Sequence, residues 1–222
     1  MRWNIPNILT TFRMLAAPAV VLVFLVLARP YADWVALILF AGAAITDYLD
    51  GYLARKWNQQ SAFGTMLDPI ADKAMVILAF LAIVGLYGLN FAIAAPATII
   101  LLREVFVSGL REFLGENANK LAVTKIAKWK TTVQMVAISV LFAQGIFYHE
   151  CIVLVQGMDQ TIIDQIYNGQ AEDLFGLRWK CEAQSIVNNL GIGLLWLAAI
   201  LTFITGWDYL NKAMPYLKGD AK

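Results

Sequence analysis

Charged residues are scarce in this chain of 222 residues. They make up 15% of it, whereas hydrophobic residues make up 60%. A soluble domain usually has about 25% charged and about 45–50% apolar residues. The composition therefore argues against a soluble protein and indicates an integral membrane protein, whose length fits about six spans with short loops. The sequence also lacks internal repeats and low-complexity tracts, so we expect a single domain over residues 1–222.

Long uncharged runs are rare as well, because only the last apolar segment is both long and free of charge. Six apolar segments can be marked, at residues 14–28, 34–54, 66–87, 91–114, 131–148 and 187–207. We expect an all-α fold in which these segments are six transmembrane helices. Residues 3–13 are expected to form a short interfacial amphipathic helix before the first span.

The charges that do occur gather at particular helix ends. Polar residues mark the end of the second helix, the start of the third, the end of the fourth and the opening of the fifth. Because successive spans alternate in direction, these four ends share one side of the membrane and predict a polar cavity open to that side. Most lysines and arginines outside the spans fall on the same side, so the cavity and both termini are predicted to be cytoplasmic.

The opposite side carries one long acidic loop, at residues 149–186, and no cation cluster. The only histidine, His149, begins this loop, and a place at the membrane interface is favoured for it over catalysis. The two cysteines, Cys151 and Cys181, lie near the ends of the loop. They would form a disulfide if the loop faces an oxidising compartment, and otherwise remain two thiols near helix ends.

Four aspartates interrupt the second and third apolar segments. Asp47 and Asp50 are three residues apart and Asp68 and Asp72 four apart, so each pair lies on one helix face. A short polar linker makes the two helices a hairpin, which brings the four carboxylates together. Such like charges repel unless a cation lies between them. All-oxygen ligands suit Mg²⁺ or Mn²⁺, with Ca²⁺ an alternative, and two ions would indicate phosphoryl transfer.

These residues also form a recognisable pattern. The stretch reads D-x2-D-G-x2-A-R-x8-G-x3-D-x3-D, in which the positions between the aspartates are Gly51, Ala54, Arg55 and Gly64. It resembles the full signature of the CDP-alcohol phosphotransferase family. The likeness extends over about residues 1–148, through "NIPNILTTFR", "REVFVSGLREF" and "KWKTTVQM", and it is strongest to bacterial members that use sn-glycerol 3-phosphate.

The resemblance implies a six-helix enzyme of the bacterial inner (cytoplasmic) membrane, usually a homodimer among membrane lipids and without a nucleic-acid partner. Its donor would be CDP-diacylglycerol and its acceptor sn-glycerol 3-phosphate. The products would be phosphatidylglycerophosphate, which leads to phosphatidylglycerol and cardiolipin, and CMP. Serine, inositol phosphate or another phosphatidylglycerol are alternative acceptors. A divalent-cation transporter is an alternative of another functional class. The outer halves of helices two to five are apolar, however, and would offer a cation no polar path across the membrane.

The resemblance also implies roles for individual residues. The metal ligands would be Asp47, Asp50, Asp68 and Asp72, holding two Mg²⁺ or Mn²⁺ ions, with Asp72 also the general base. The CDP-diacylglycerol site would be formed by Asp47, Gly51, Ala54, Arg55 and Gly64. Cations of the fourth and fifth helices suit the acceptor phosphate, because arginine offers a fork of donors and lysine a point charge. These are Arg103, Arg111, Lys128 and Lys130. The alternatives are that these cations anchor lipid headgroups and that Arg103 pairs with Glu104 or Asp72.

Overall fold

Long helices dominate the fold, as expected where apolar segments must satisfy their own backbone groups. The computed structural model describes residues 5–57, 61–115 and 125–218, and for residues 5–6, 48–57 and 125–127 it describes the backbone alone. Within these ranges every regular element is a helix, which confirms the all-α prediction. The helices are α1 (Ile5–Val26), α2 (Tyr31–Trp57), α3 (Ala62–Tyr87), α4 (Phe91–Leu114), α5 (Lys125–Gln156), α6 (Gln160–Tyr167) and α7 (Leu177–Leu217).

Five of the described helices are long and apolar enough to cross a membrane. They are α1, α3, α4, α5 and α7, whereas the side chains of α2 are described only as far as Asp47. Helix α7 has 41 residues, so it is about 60 Å long and exceeds the ~30 Å hydrocarbon core of a bilayer. Residues 5–13 continue directly into the rest of α1, and the separate interfacial helix expected over residues 3–13 stays unconfirmed.

The chain divides into two compact units, and the expectation of one domain stays a prediction. The first unit comprises Met1–Ile83 and Ile138–Gly191. In it α1 packs along α2, and the completely buried Ala17 and Ala36 are small enough to let helix backbones approach closely. The rings of Phe40 and Phe142, both completely buried, lie 5.9 Å apart.

The second unit comprises Val84–Ala137 and Ile192–Lys222. At the start of α4, the Asn90 side chain caps the helix by accepting a hydrogen bond from the Ala92 amide at 2.9 Å. The Trp196 indole donates to the Ala92 carbonyl at 3.1 Å. Further along, a Cβ at Gly206 would lie 2.9 Å from the Arg103 Cγ. The glycine thus leaves room for the Arg103 side chain beside α7.

The segment expected as an acidic loop, residues 149–186, contains more helix than predicted. Helix α5 continues to Gln156, the short α6 follows, and α7 begins at Leu177. The reason is packing, because Ile163 and Ile166 of α6 are spaced to share a face and bury it against Leu177. A disulfide joins Cys151 to Cys181, with 5.0 Å between their Cα atoms, and links α5 to α7.

Candidate active site

Three polar side chains of α1 are buried where an apolar helix would ordinarily place hydrophobic residues. Asn7 is 3%, Thr10 2% and Arg13 2% exposed. Because Thr10 and Arg13 are three residues apart, they are neighbours on the helix surface. A buried arginine needs a carboxylate partner, since leaving it unpaired costs several kcal/mol. The aspartates of α2 and α3 supply that partner.

Arg13 contacts three of the four predicted metal ligands. Its Nη1 donates to Oδ1 of Asp47 and, at 2.6 Å, to Oδ1 of Asp72. Its Nη2 donates to Oδ1 of Asp68 at 3.3 Å. The Thr10 hydroxyl donates to the same Asp68 oxygen at 2.6 Å. Helices α1, α2 and α3 therefore bring three carboxylates around one guanidinium.

The exposure of these groups is unequal. The Arg13 side chain is 2% exposed, whereas the three carboxylates are between 45% and 49% exposed. Three carboxylate oxygens that converge on one positive group and remain accessible form the all-oxygen donor set that Mg²⁺ and Mn²⁺ prefer. The side chains present therefore fit a divalent cation. With the guanidinium between them, however, no three acidic, histidine or cysteine side chains of the described part are close enough to hold an ion.

The start of α3 is fixed to α1 by a second small network. The Ser61 hydroxyl accepts a hydrogen bond from the Gly64 amide at 3.0 Å, which caps α3, and donates to Oδ1 of Asn7 at 2.6 Å. A Cβ at Gly64 would lie 2.9 Å from that same Asn7 oxygen. Gly64 thus has a packing role, because a larger residue would displace the Asn7 side chain and disturb its hydrogen bond to Ser61.

The other residues of the aspartate signature lie on the last turns of α2, which is helical through Trp57. Asp50, Gly51, Ala54 and Arg55 belong to the stretch for which the backbone alone is described. Their side chains are therefore outside the described part of the structure. Their roles as metal ligand and nucleotide-binding residues stay predictions.

The predicted phosphate-binding cations are in the second unit. There Glu104 of α4 accepts from the Nζ of Lys130 and, at 3.5 Å, from Nη1 of Arg103. Lys130 is 4% exposed. One carboxylate thus holds two cations together, and the alternative that Arg103 pairs with Glu104 is what the structure contains.

The remaining two cations of the prediction are more open. Arg111 is exposed and lies over the ring of Tyr209, 5.6 Å from its centroid. Lys128 is exposed at the start of α5. The four cations are therefore of two kinds, a covered pair that shares Glu104 and two exposed side chains.

The sequence pattern assigns no site role to Thr10 or Arg13, and it offers Glu104 only as an alternative partner of Arg103. Arg13 lies inside an apolar helix, and that position is itself a signal that a buried acid must face it. Thr10 gives a weaker signal, since hydroxyls often bond to their own helix. Glu104 stands directly beside Arg103, and this adjacency was the available indication.

A comparison of the sequence with known families adds a second line of evidence. The sequence model of the CDP-alcohol phosphatidyltransferase family matches residues 3–163, which include α1 to α5 and all four aspartates. The chain belongs to this family. The match confirms the resemblance seen in the aspartate signature.

Individual relatives agree with the family match. A protein of Cereibacter sphaeroides named CDP-diacylglycerol–glycerol-3-phosphate 3-phosphatidyltransferase is 54% identical over 221 residues, covering 99% of this chain and all of the relative. A protein of the same name from Pectobacterium atrosepticum is 36% identical over 215 residues, 96% of each chain. The Escherichia coli protein of that name is 42% identical over 141 residues, 63% of this chain and 76% of the relative.

Proposed function

We propose that this member of the CDP-alcohol phosphatidyltransferase family transfers a phosphatidyl group from CDP-diacylglycerol to sn-glycerol 3-phosphate. The products are phosphatidylglycerophosphate and CMP, the former a precursor of phosphatidylglycerol and cardiolipin. The observation that carries the proposal is the convergence of Asp47, Asp68 and Asp72 on one cationic position. The printed name shared by the relatives supports the choice of donor and acceptor.

The aspartates are proposed to hold two divalent cations, with Asp50 as the fourth ligand. When bound, the ions supply positive charge that stabilises the charge building on the CMP leaving group. The neighbouring Gly51, Ala54 and Arg55 are proposed to line the cytidine and phosphate pocket. Gly64 supports this pocket from α3, where it keeps Asn7 and Ser61 close.

The acceptor hydroxyl of glycerol 3-phosphate attacks the phosphorus that bears diacylglycerol. A new phosphorus–oxygen bond forms, the bond from that phosphorus to CMP breaks, and CMP leaves with the bonding electron pair. Asp72 takes the hydroxyl proton, because its carboxylate is accessible and lies within the aspartate cluster. Arg13 and Thr10 orient the carboxylates on which this step depends.

The phosphate of the acceptor requires positive charge of its own. We propose Arg103 and Lys130 for this role, with Arg111 and Lys128 as outer contacts. Two cations around Glu104 leave an excess of one positive charge, which suits an anionic ligand. A serine acceptor would not need that excess, and the relatives' names favour glycerol 3-phosphate over inositol phosphate.

The enzyme is proposed to be a homodimer of the bacterial cytoplasmic membrane, with α2 as the sixth span and a polar cavity open to the cytoplasm. The cation distribution supports this orientation by the positive-inside rule. The Cys151–Cys181 disulfide supports it independently, since a structural disulfide is stable on the oxidising side of that membrane.

The deciding experiment measures CMP release by the purified protein in detergent with CDP-diacylglycerol, Mg²⁺ and one acceptor at a time. The acceptors are sn-glycerol 3-phosphate, serine, inositol phosphate and phosphatidylglycerol. We expect release with glycerol 3-phosphate and none without a divalent cation. Release with a different acceptor would retain the reaction class and overturn the substrate. A folded protein that releases CMP with none of them would overturn the function.

A further inference from the structure

A single guanidinium occupies the centre of the carboxylate cluster. Arg13 bonds to Oδ1 of Asp47, of Asp68 and of Asp72, and these oxygens are the ones that an incoming cation would have to bind. Three carboxylates around one guanidinium leave an excess of two negative charges. The cluster therefore attracts further cations even while Arg13 is in place.

The guanidinium and a metal ion make different demands on the same oxygens. Mg²⁺ requires oxygen ligands at about 2.0–2.1 Å in an octahedral arrangement. Charge-assisted hydrogen bonds from a guanidinium hold the oxygens at about 2.7–2.9 Å from nitrogen and in the plane of its fork. In the described residues the guanidinium arrangement prevails, and no three carboxylates are close enough for one ion. Binding of a metal ion therefore requires Arg13 to withdraw from the oxygens.

We propose that Arg13 is a built-in counter-ion, which keeps the aspartates assembled in the metal-free enzyme and is displaced when a divalent cation binds. The inference rests on the proposed function, since it takes the aspartates to be metal ligands. Moving the guanidinium costs free energy, which is subtracted from the intrinsic free energy of metal binding. The apparent metal affinity is therefore lower, as it is whenever a protein must change conformation before it binds. Arg13 makes the metal-free fold more stable and the metal affinity lower.

The position of Arg13 agrees with such an exchange. Its side chain is 2% exposed, behind carboxylates that are about half exposed, so a cation approaches from the open side and the guanidinium is pressed towards α1. Thr10 bonds to Asp68 independently at 2.6 Å. That contact keeps α1 attached to the cluster when the guanidinium moves.

The test measures Mn²⁺ binding rather than turnover. The full-length protein is purified in detergent, stripped with EDTA and titrated with Mn²⁺, and free Mn²⁺ is read from its electron paramagnetic resonance signal. The variants are Arg13→Gln and Arg13→Lys, with Lys212→Gln as the control. Lys212 forms an ion pair with Asp208, one turn earlier on the same helix. Its replacement therefore removes one positive charge but no partner of Asp47, Asp68 or Asp72.

We expect Arg13→Gln to bind Mn²⁺ about tenfold or more tightly than the unchanged protein, the effect of removing one adjacent like charge. Arg13→Lys keeps the charge without the fork and should lie between the two. In EDTA, Arg13→Gln should unfold at a lower temperature, and Mn²⁺ should raise its unfolding temperature more than that of the unchanged protein. Lys212→Gln should match the unchanged protein in Mn²⁺ affinity.

Equal or weaker Mn²⁺ binding by folded Arg13→Gln would overturn the counter-ion role while retaining the metal site. If that variant does not fold, Arg13→Lys decides, and Mn²⁺ affinity no higher than that of the unchanged protein overturns the proposal. Absence of Mn²⁺ binding in every folded protein, the unchanged one included, would instead overturn the metal assignment in the proposed function and the counter-ion role with it. The two failures are therefore distinct.

Discussion

The two units of this protein contain opposite charge arrangements. In the first, one guanidinium is surrounded by Asp47, Asp68 and Asp72. In the second, one carboxylate, Glu104, is held between Arg103 and Lys130. Counting only the side chains that the structure describes, the first cluster has an excess of two negative charges and the second an excess of one positive charge. In each cluster an ion of the opposite sign lies among the others.

The ion of opposite sign reduces the repulsion between like charges in both clusters. Like charges held together in a membrane-embedded protein are destabilising unless an opposite charge lies among them. One opposite charge reduces the repulsion and leaves a net charge that a ligand can satisfy. The carboxylate cluster is therefore suited to cations, and the Glu104 cluster is suited to an anionic group such as a phosphate.

The largest expected effect comes from Asp72→Asn, which removes the proposed proton acceptor and one metal ligand. We expect CMP release to fall about 10³-fold, because a general base alone contributes about 10²- to 10⁴-fold. The fold should persist, since Arg13 still contacts Asp47 and Asp68. Asp164→Asn is the matched control, because Asp164 is an exposed aspartate of α6. A variant with more than a tenth of the original rate would remove Asp72 from catalysis.

The next effect tests whether Glu104 is needed to hold its two cations. Glu104→Gln leaves Arg103 and Lys130 facing each other without a counter-charge, and we expect a loss of about 2 kcal/mol in unfolding free energy, below the range for fully buried pairs because the group is partly exposed. Thermal or denaturant unfolding in detergent measures it. Lys130→Met should then lower the unfolding free energy less in the Glu104→Gln background than in the unchanged protein. Strict additivity in this double-mutant cycle would show that the two side chains do not interact.

A smaller effect tests whether the excess positive charge around Glu104 binds the phosphate of the acceptor. Arg103→Gln should raise KM for glycerol 3-phosphate about tenfold, the loss of one charge-assisted hydrogen bond, and leave KM for CDP-diacylglycerol nearly unchanged. Glycerol as a second acceptor sharpens the result, since the preference for the phosphorylated acceptor should fall by the same factor. Equal increases in both KM values would indicate a structural role instead. Lys212→Gln, which removes a cation of α7 that pairs with Asp208, serves as the control.

Much of this arrangement can be predicted from the sequence, because apolar runs determine helices and spacing determines helix faces. The pairs Asp47 and Asp50, and Asp68 and Asp72, predicted a hairpin of carboxylates, and the structure brings members of both helices to one guanidinium. The positions of Cys151 and Cys181 are compatible with a disulfide or with two thiols, and the structure contains the disulfide.

What the sequence did not reveal depends on packing between distant segments. An arginine near the end of an apolar segment is typical of a cation at the membrane surface. The position of Arg13 among the aspartates depends on how α1 packs against α2 and α3. In the same way the average polarity of residues 149–186 hides the spacing of Ile163 and Ile166, which makes α6 a helix. The cations of α4 and α5 are predicted phosphate ligands, and the sequence offers Glu104 as a partner of Arg103 but gives no sign that it also binds Lys130. The local sequence pattern predicts the helices, whereas the partner of each charged side chain depends on tertiary contacts.

The smallest effect uses a carboxylate that belongs to neither cluster. Asp173 accepts hydrogen bonds from the backbone amides of Leu177 and Arg178, at 2.7 and 3.0 Å, and so caps α7 without needing a cation. The amide of Arg178 is the main cause that holds the pKa of Asp173 below its ordinary value of 3.8. A carboxyl group whose pKa is lowered by folding stabilises the fold above its ordinary pKa, and this stabilisation is lost as the pH falls through the lowered value.

Asp173→Ala should therefore lower the unfolding temperature slightly at pH 7 and lower it less as the pH falls below the ordinary pKa of the group. Unfolding curves of both proteins in detergent between pH 2.5 and 7 measure the difference. Mn²⁺ binding and CMP release should not change, because this carboxylate lies outside the Arg13 cluster and its oxygens already accept hydrogen bonds from backbone amides. A change in Mn²⁺ affinity would mean that carboxylates outside the Arg13 cluster also attract the metal. The contrast between the clusters would then reflect overall charge rather than the position of Arg13.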